Sequence, residues 1–98
     1  MMTNSARTIT MSIQVLPLTE DPIPIVDAAI AAIAQTGIKY MVTPMETVVE
    51  GTLDECWAAA RAAHEACFSN GAQKAVTYIK ISDALTGSTI DDKLAKYR

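Results

Sequence analysis

The chain has 98 residues, which suits one small domain with a single modest core. Its formal net charge is −3 and it has only eight lysine and arginine residues, so we expect no nucleic-acid partner. Half of the residues are hydrophobic, yet no apolar run is long enough to cross a membrane, and we expect no membrane partner. So large an apolar fraction predicts a subunit interface in addition to the core.

The first predicted strand follows a short flexible leader, residues 1–7. This leader lacks the apolar segment of a signal peptide, so the cytoplasm is the expected location. Residues 8–16 then predict a strand with one buried face, because apolar and polar side chains alternate strictly from Thr8 to Val15. The apolar side is Ile9, Met11, Ile13 and Val15, and the polar side is Thr8, Thr10, Ser12 and Gln14.

An alanine-rich helix is predicted from Ile25 to Thr36, with Pro24 in its first turn and Gly37 as a left-handed stop. Its apolar positions at helical spacing are Val26, Ile30 and Ile33.

Two short β-type segments follow, from Ile38 to Thr43 and from Met45 to Glu50, with Pro44 between them. The short connection predicts an antiparallel hairpin. Pro44 interrupts backbone hydrogen bonding, which is tolerated at a bend or on an edge strand.

The second predicted helix begins at a capping box formed by Thr52 and Glu55 and runs to about Ser69, where Asn70 and Gly71 end it. We expect its two aromatic residues to lie in the core. Its predicted apolar stripe is Leu53, Cys56, Trp57, Ala60, Ala63, His64, Cys67 and Phe68.

The two cysteines, Cys56 and Cys67, both fall in this helix, and their separation of roughly 16 Å excludes an intrachain disulfide. Free cysteine is often buried, so we expect both to act as small hydrophobic residues. His64 and Cys67 form an isolated pair without metal-ligand spacing, and we expect no metal site.

The last predicted strand runs from Lys74 to Ser82, and the polar tail, residues 84–98, contains a segment from Ile90 to Tyr97 that can form a short helix. The element order is therefore β-α-β-β-α-β within residues 8–83. This order predicts an α+β, ferredoxin-like sandwich whose four-stranded antiparallel sheet has the order 4-1-3-2, with both helices on one face.

The other sheet face is left open in this architecture. The first strand places its polar side there, and the last strand adds Val76, Tyr78 and Lys80. The hairpin contributes one of two alternating sets, either Met45, Thr47 and Val49 or Glu46, Val48 and Glu50. The open face can be solvated, can form a subunit interface or can hold a small ligand, and the last two uses can coexist.

Signatures of catalysis are absent from the sequence, and no nucleophile is identifiable as a partner for His64, so we expect no catalytic residue. Glu50 stands at a strand end before a glycine and a helix start. Its carboxylate can accept a hydrogen bond from an amino-bearing ligand, or it can simply favour the start of the helix.

One run in the hairpin is distinctive, Tyr40-x-x-Thr43-Pro44-Met45-x-Thr47-x-x-Glu50-Gly51. Together with the later Leu53-Asp54-Glu55, His64-Glu65 and Ile79-Lys80-Ile81 segments, it resembles the small thiamine-binding protein family over about residues 11–96. The resemblance implies a ferredoxin-like fold, strand-mediated assembly into dimers or tetramers, and binding of thiamine (vitamin B1) or its hydroxymethylpyrimidine portion without an added cofactor.

The resemblance also suggests a ligand site made of Ser12, Thr43, Met45, Thr47 and Glu50. The three hydroxyls can bond the ring nitrogens or the amine of an aminopyrimidine, Glu50 can accept from the amine or balance the thiazolium charge, and Met45 can contact the ring face. We therefore expect a non-catalytic carrier, buffer or sensor. The alternatives are a structural oligomeric domain without a ligand and an accessory enzyme of thiamine metabolism that uses Glu50 as an acid or base.

Overall fold

The computed structural model describes residues 6–97, so residues 1–5 of the predicted leader lie outside the described part of the chain. The elements are, in chain order, β1 (Ile9–Pro17), α1 (Ile23–Gln35), β2 (Lys39–Val42), β3 (Thr47–Gly51), α2 (Leu53–Ser69), β4 (Ala75–Ser82) and α3 (Ile90–Leu94), followed by a 3-10 turn (Ala95–Tyr97). Between residues 6 and 97, no helix is both long and apolar enough to cross a membrane.

The four strands form one antiparallel sheet in the order β2-β3-β1-β4. This is the predicted 4-1-3-2 order read from the opposite edge, and it confirms the α+β, ferredoxin-like fold. β2 lies at one edge and β4 at the other. Pro44 lies in the loop between β2 and β3, where its missing N–H removes no hydrogen bond from the centre of the sheet.

One face of the sheet carries both long helices and the main core. Alternate residues of β1 point toward the helices, and of these Ile9 and Met11 have no exposed surface and Ile13 is 3% exposed. The helices meet this surface largely through alanine, a small side chain that allows close approach. The buried helix residues of this core are Ala29, Ile33, Cys56, Ala59, Ala60 and Ala63.

The buried stripe of α1 differs from the predicted one. The sequence predicted that Val26 and Ile30 face the core, whereas the buried residues of α1 are Ile25, Ala29 and Ile33. The row that contains the small Ala29 faces inward because α1 packs closely against α2. The bulkier Val26 and Ile30 are half-buried and border a groove beside the hairpin loop.

The prediction that Trp57 and Phe68 lie in the core is wrong. They are 45% and 46% exposed, because each directly follows a buried cysteine and so lies about 100° around the helix from the buried row. The Phe68 ring instead meets the His64 ring edge-on, with centroids 5.4 Å apart.

The predicted helix boundaries depend on specific backbone contacts. The capping box is confirmed: the Thr52 hydroxyl accepts the Glu55 N–H at 3.2 Å, and the Glu55 carboxylate accepts the Thr52 N–H at 2.9 Å. A Cβ at Gly51 would lie 2.9 Å from that carboxylate, so glycine leaves room for the cap. Gly37 follows α1 with a φ of +81°, the left-handed conformation predicted for it.

Cys56 and Cys67 are free thiols without exposed surface, as predicted. Burial raises the pKa of Cys56 to about 11, with smaller contributions from the carboxylates of Glu55 and Glu50. Burial also raises the pKa of Cys67. Both thiols therefore stay protonated at neutral pH and behave as small apolar residues.

The strand register shows which hairpin residues reach the open face, because directly paired residues of neighbouring strands point to the same side. Ser12 on β1 pairs with Val48 on β3 and with Lys80 on β4, so these three residues share the open face. The hairpin set on this face is therefore Glu46, Val48 and Glu50. Thr47 and Val49 face the helices and are 5% and 0% exposed.

Candidate functional site

The C-terminal tail lies across one end of the open sheet face. The first residue of α3, Ile90, is 5% exposed, and its N–H donates to the Glu50 carboxylate at 2.8 Å. Just before α3, the Ser88 carbonyl accepts the Thr10 hydroxyl at 2.9 Å, and the Ser88 N–H donates to the Thr8 carbonyl at 2.7 Å. The tail thus adds a wall to the sheet face and makes it concave, as small-molecule sites generally are.

Two adjoining cavities lie on the open face beside α3. The larger has a volume of about 290 Å³, and its lining includes Thr10, Ser12, Val48, Lys80, Ser82 and Lys93. The smaller has a volume of about 150 Å³, and its lining includes Met41, Thr43, Val48, Ile90 and Leu94. Because both are also lined by Thr10 and Lys93, one ligand can occupy the two together.

The two cavities differ in chemical character. Met41, Val48 and Leu94 give the smaller cavity an apolar surface suited to a flat ring. The larger cavity is also mainly apolar at its surface, but hydroxyl and ammonium groups at its border can fix the orientation of polar substituents. An apolar surface combined with a few convergent polar groups is the usual composition of a small-molecule site.

The Ser12 hydroxyl is the polar group most available to a ligand. It borders the larger cavity, and no side-chain hydrogen bond joins it to another residue between 6 and 97. The other hydroxyls of this cavity are engaged: Thr10 bonds the Ser88 carbonyl, and the Ser82 hydroxyl lies 3.0 Å from that of Ser88. A hydroxyl can donate or accept, so Ser12 can bond either type of ring substituent.

Glu50 lies on the open face, where its carboxylate holds the C-terminal tail in place. One carboxylate oxygen accepts the Ile90 N–H, and the other lies 3.4 Å from the Lys39 ammonium, which in turn lies 3.6 Å from Asp91. The Glu50 side chain is only 14% exposed and borders neither cavity. Its contacts therefore position α3, which forms part of the wall.

Thr43 organises the hairpin loop. Its hydroxyl donates to the Glu46 carbonyl at 2.7 Å and accepts the N–H groups of Glu46 and Met45 at 3.1 and 3.3 Å. This arrangement closes a loop that contains a proline, and it sets the side chain of Thr43 at the border of the smaller cavity.

The five residues expected to form the site do not all come together. Ser12 and Thr43 border the adjoining cavities, and Glu50 holds the tail beside them. Met45 is 72% exposed in the hairpin loop, and Thr47 is buried on the helix face, on the opposite side of the sheet from Ser12.

Several lining residues lay outside the expected set. Thr10 and Lys80 share the open face with Ser12, so alternation along β1 and β4 was a signal that could have added them. Met41 could be assigned to the site only once the hairpin register was known, because its pairing with Val48 places it on the open face. No sequence pattern predicts that Lys93 borders the cavities, because its position depends on how the tail packs against the sheet.

The only histidine of the chain lies away from both cavities. The Nδ1 atom of His64 is 2.6 Å from the Thr77 hydroxyl, in a contact between α2 and the helix-covered side of β4. Over residues 6–97 there is no group of three or more His, Cys, Asp or Glu side chains arranged to hold a metal ion.

The chain is similar to several known proteins. A relative from Clostridium perfringens, a UPF0045 protein, is 38% identical over 93 residues, which cover 93% of this chain and 98% of the relative. The solved structure of a domain of unknown function, DUF77, from Bacillus cereus is similar with a TM-score of 0.90 and 40% identity, covering 99% of this chain and 96% of that one.

Two further comparisons concern thiamine. The structure of a Thermotoga maritima protein, provisionally described as a thiamine biosynthesis or salvage protein, is similar with a TM-score of 0.84 and 33% identity, covering 93% of this chain and 99% of that one. The family model described as thiamine-binding protein matches residues 11–98. This match includes all of β1 after its first two residues and every later element, so the chain belongs to the thiamine-binding protein family.

Proposed function

We propose that this chain binds thiamine or its hydroxymethylpyrimidine portion in the two adjoining cavities of the open sheet face. The observation that carries the proposal is the pair of adjoining, mainly apolar cavities, the larger of them bordered by hydroxyl groups, in a domain of the thiamine-binding family. An aminopyrimidine is flat and apolar on its faces, and it carries both donors and acceptors at its edge. Hydroxyl groups satisfy both kinds of partner.

In this proposal Ser12 contacts the ligand directly, and Met41 supplies the soft contact to the ring that the sequence assigned to Met45. Thr43 and Glu50 act as positioning residues, the first for the hairpin loop and the second for α3. Thr47 supports the helix face, where it is buried.

We propose binding without catalysis, as a carrier, buffer or sensor in the cytoplasm. Glu50, the residue considered for acid or base chemistry, has one oxygen bonded to the Ile90 N–H and the other beside the Lys39 ammonium. The two thiols are free, which fits a reducing compartment.

Titration calorimetry with thiamine and with hydroxymethylpyrimidine tests the proposal. Val48→Phe should fill the space shared by both cavities and abolish binding, and Ser12→Ala should weaken binding roughly two- to tenfold through loss of one hydrogen bond. Ser69→Ala, on the exposed surface of α2, is the matched control and should bind like the wild type. Circular dichroism checks that each variant folds.

Wild-type affinity that survives in both Val48→Phe and Ser12→Ala would place the ligand elsewhere. An oligomer that binds neither compound would support the alternative of a structural domain without a ligand.

We also propose that the chain self-associates, as a dimer or tetramer, through the free edge of β4. This eight-residue strand pairs with β1 on one side only, and no strand between residues 6 and 97 covers its other edge. Tyr78 and Ile81 of β4 are 58% and 43% exposed. A long, partly apolar edge is a template for pairing with a second chain.

Native mass spectrometry measures this association. Ile81→Lys should shift the population toward monomer by placing a charge beside the paired edge, whereas Leu85→Lys, at an exposed position beyond the strand, should leave it unchanged. A monomeric wild-type protein would contradict the proposed assembly.

A further inference from the structure

The charged groups that line the larger cavity are both cationic. Lys80 and Lys93 border it, and none of its lining residues is Asp or Glu. The whole chain carries a net charge of −3, so this local balance is opposite in sign to that of the protein. A concave surface lined by cationic side chains concentrates anions.

These two lysines differ in how fully their charge is neutralised. The Lys80 ammonium lies 3.4 Å from a Glu46 carboxylate oxygen, but its side chain is 75% exposed, so the pair is weak and can be exchanged for another anion. Lys93 forms no ion pair with any residue between 6 and 97. Lys39, the third lysine on this side, is already occupied by Glu50 and Asp91.

The same cavity offers a neutral donor. The Ser12 hydroxyl opens into it without a side-chain hydrogen bond to another residue of the described chain. An ammonium and a hydroxyl that converge on one space are groups suited to the oxygens of a phosphate, with which an ammonium forms a charge-assisted bond.

We propose that the larger cavity binds a phosphate monoester, and that the preferred ligand is a phosphorylated form of the pyrimidine or of thiamine. The ring occupies the apolar cavity beside Met41, and the phosphate lies in the larger cavity with Lys80, Lys93 and Ser12. This inference rests on the proposed function for the ring, whereas the phosphate site rests on the lysines.

Calorimetry with thiamine, thiamine monophosphate and inorganic phosphate on the full chain tests the inference. The wild type should bind the monophosphate about tenfold or more tightly than thiamine, since charge-assisted bonds are the stronger class. Lys93→Gln should reduce the ratio of the affinity for the monophosphate to that for thiamine at least threefold. The double variant that also carries Lys80→Gln should bring this ratio near one. Lys74→Gln is the control, because Lys74 is an exposed lysine just before β4 and lies outside both cavities.

The possible outcomes distinguish the phosphate site from the proposed binding of thiamine or its pyrimidine. Equal affinities for thiamine and its monophosphate would overturn the phosphate site and leave the proposed function standing. A preference for the monophosphate that survives in the double lysine variant would also overturn it, because the phosphate would then lie elsewhere. Binding of inorganic phosphate alone, lost in Lys93→Gln, would support the phosphate site and overturn the proposed function.

Discussion

The two faces of the sheet are stabilised in different ways. On the helix face, Met11 and Val49 have no exposed surface, and the contacts are almost entirely apolar. On the open face, the tail is held by a few hydrogen bonds and ion pairs, such as those of Glu50 with Ile90 and Lys39. Apolar burial is non-directional and supplies most of the folding energy, whereas polar contacts fix a position. The face that contributes less to stability is therefore the one free to carry a binding site.

Adjacent residues of β1 offer the largest expected contrast. Met11→Ala should lower the free energy of unfolding by about 2–5 kcal/mol because it removes a fully buried side chain and leaves a cavity. Ser12→Ala, one residue away on the other face, should change it by at most about 0.5 kcal/mol. Urea denaturation followed by circular dichroism measures both variants. Similar losses would mean that the open face is also part of the folding core.

The helix face was the more predictable of the two because it depends on periodicity. Strict alternation in β1 identified its buried side, and Thr52 and Glu55 marked the start of α2. Periodicity was less reliable at the border of a helical stripe. It placed Trp57 and Phe68 in the core, but the buried row of α2 passes through the cysteine before each of them, so both rings lie on its flank.

The open face depends on contacts between residues far apart in the sequence. Its hairpin set became known only from the pairing of Ser12 with Val48, because the four-residue loop between β2 and β3 does not fix the alternation. The tail helix α3 has five residues and docks through a bond between Glu50 and Ile90. No local pattern reports such a contact, so Lys93 was absent from the expected site.

The distinctive hairpin run illustrates why a motif can be recognised before its residues are understood. Thr43 and Glu50 attract attention as polar groups at ends of strands. In the structure, the hydroxyl of the first closes the loop, and the carboxylate of the second caps the backbone of α3. Both shape the cavities by holding the segments around them.

Loss of the Glu50 carboxylate should loosen the tail while the sheet remains folded. Glu50→Gln removes the charge that bonds Ile90 and attracts Lys39, at an expected cost of about 1–3 kcal/mol to the docking of α3. Hydrogen exchange should therefore become faster at the Ile90 amide, with core strand amides such as that of Met11 little changed.

Glu65→Gln is the matched control for this measurement. Glu65 pairs with Arg61 on the exposed surface of α2, and surface pairs contribute at most about 1 kcal/mol. Unchanged exchange at Ile90 in Glu50→Gln would show that other contacts of the tail, such as those of Ser88, are sufficient to dock it.

The expected effect with the narrowest pH range belongs to the helix face and appears only in alkali. The pKa of Cys56 rises from an ordinary 9.0 to about 11 on folding, mainly because its thiol is buried. Between these two values the unfolded thiol loses its proton while the folded thiol keeps it, so the unfolded state binds fewer protons and stability falls as pH rises. Below pH 9 the thiol is protonated in both states, and its contribution does not vary with pH.

Cys56→Ala should therefore lose less stability than the wild type between about pH 9 and pH 11, and the two should run parallel below that range. Urea denaturation across pH 7–11 gives the comparison, and the contributions of all groups common to both proteins cancel in the difference. Cys67→Ala should act in the same direction, since burial raises that pKa as well. Parallel curves throughout would mean that water reaches the Cys56 thiol, and that the helix face is less completely closed than the burial of Met11 and Val49 indicates.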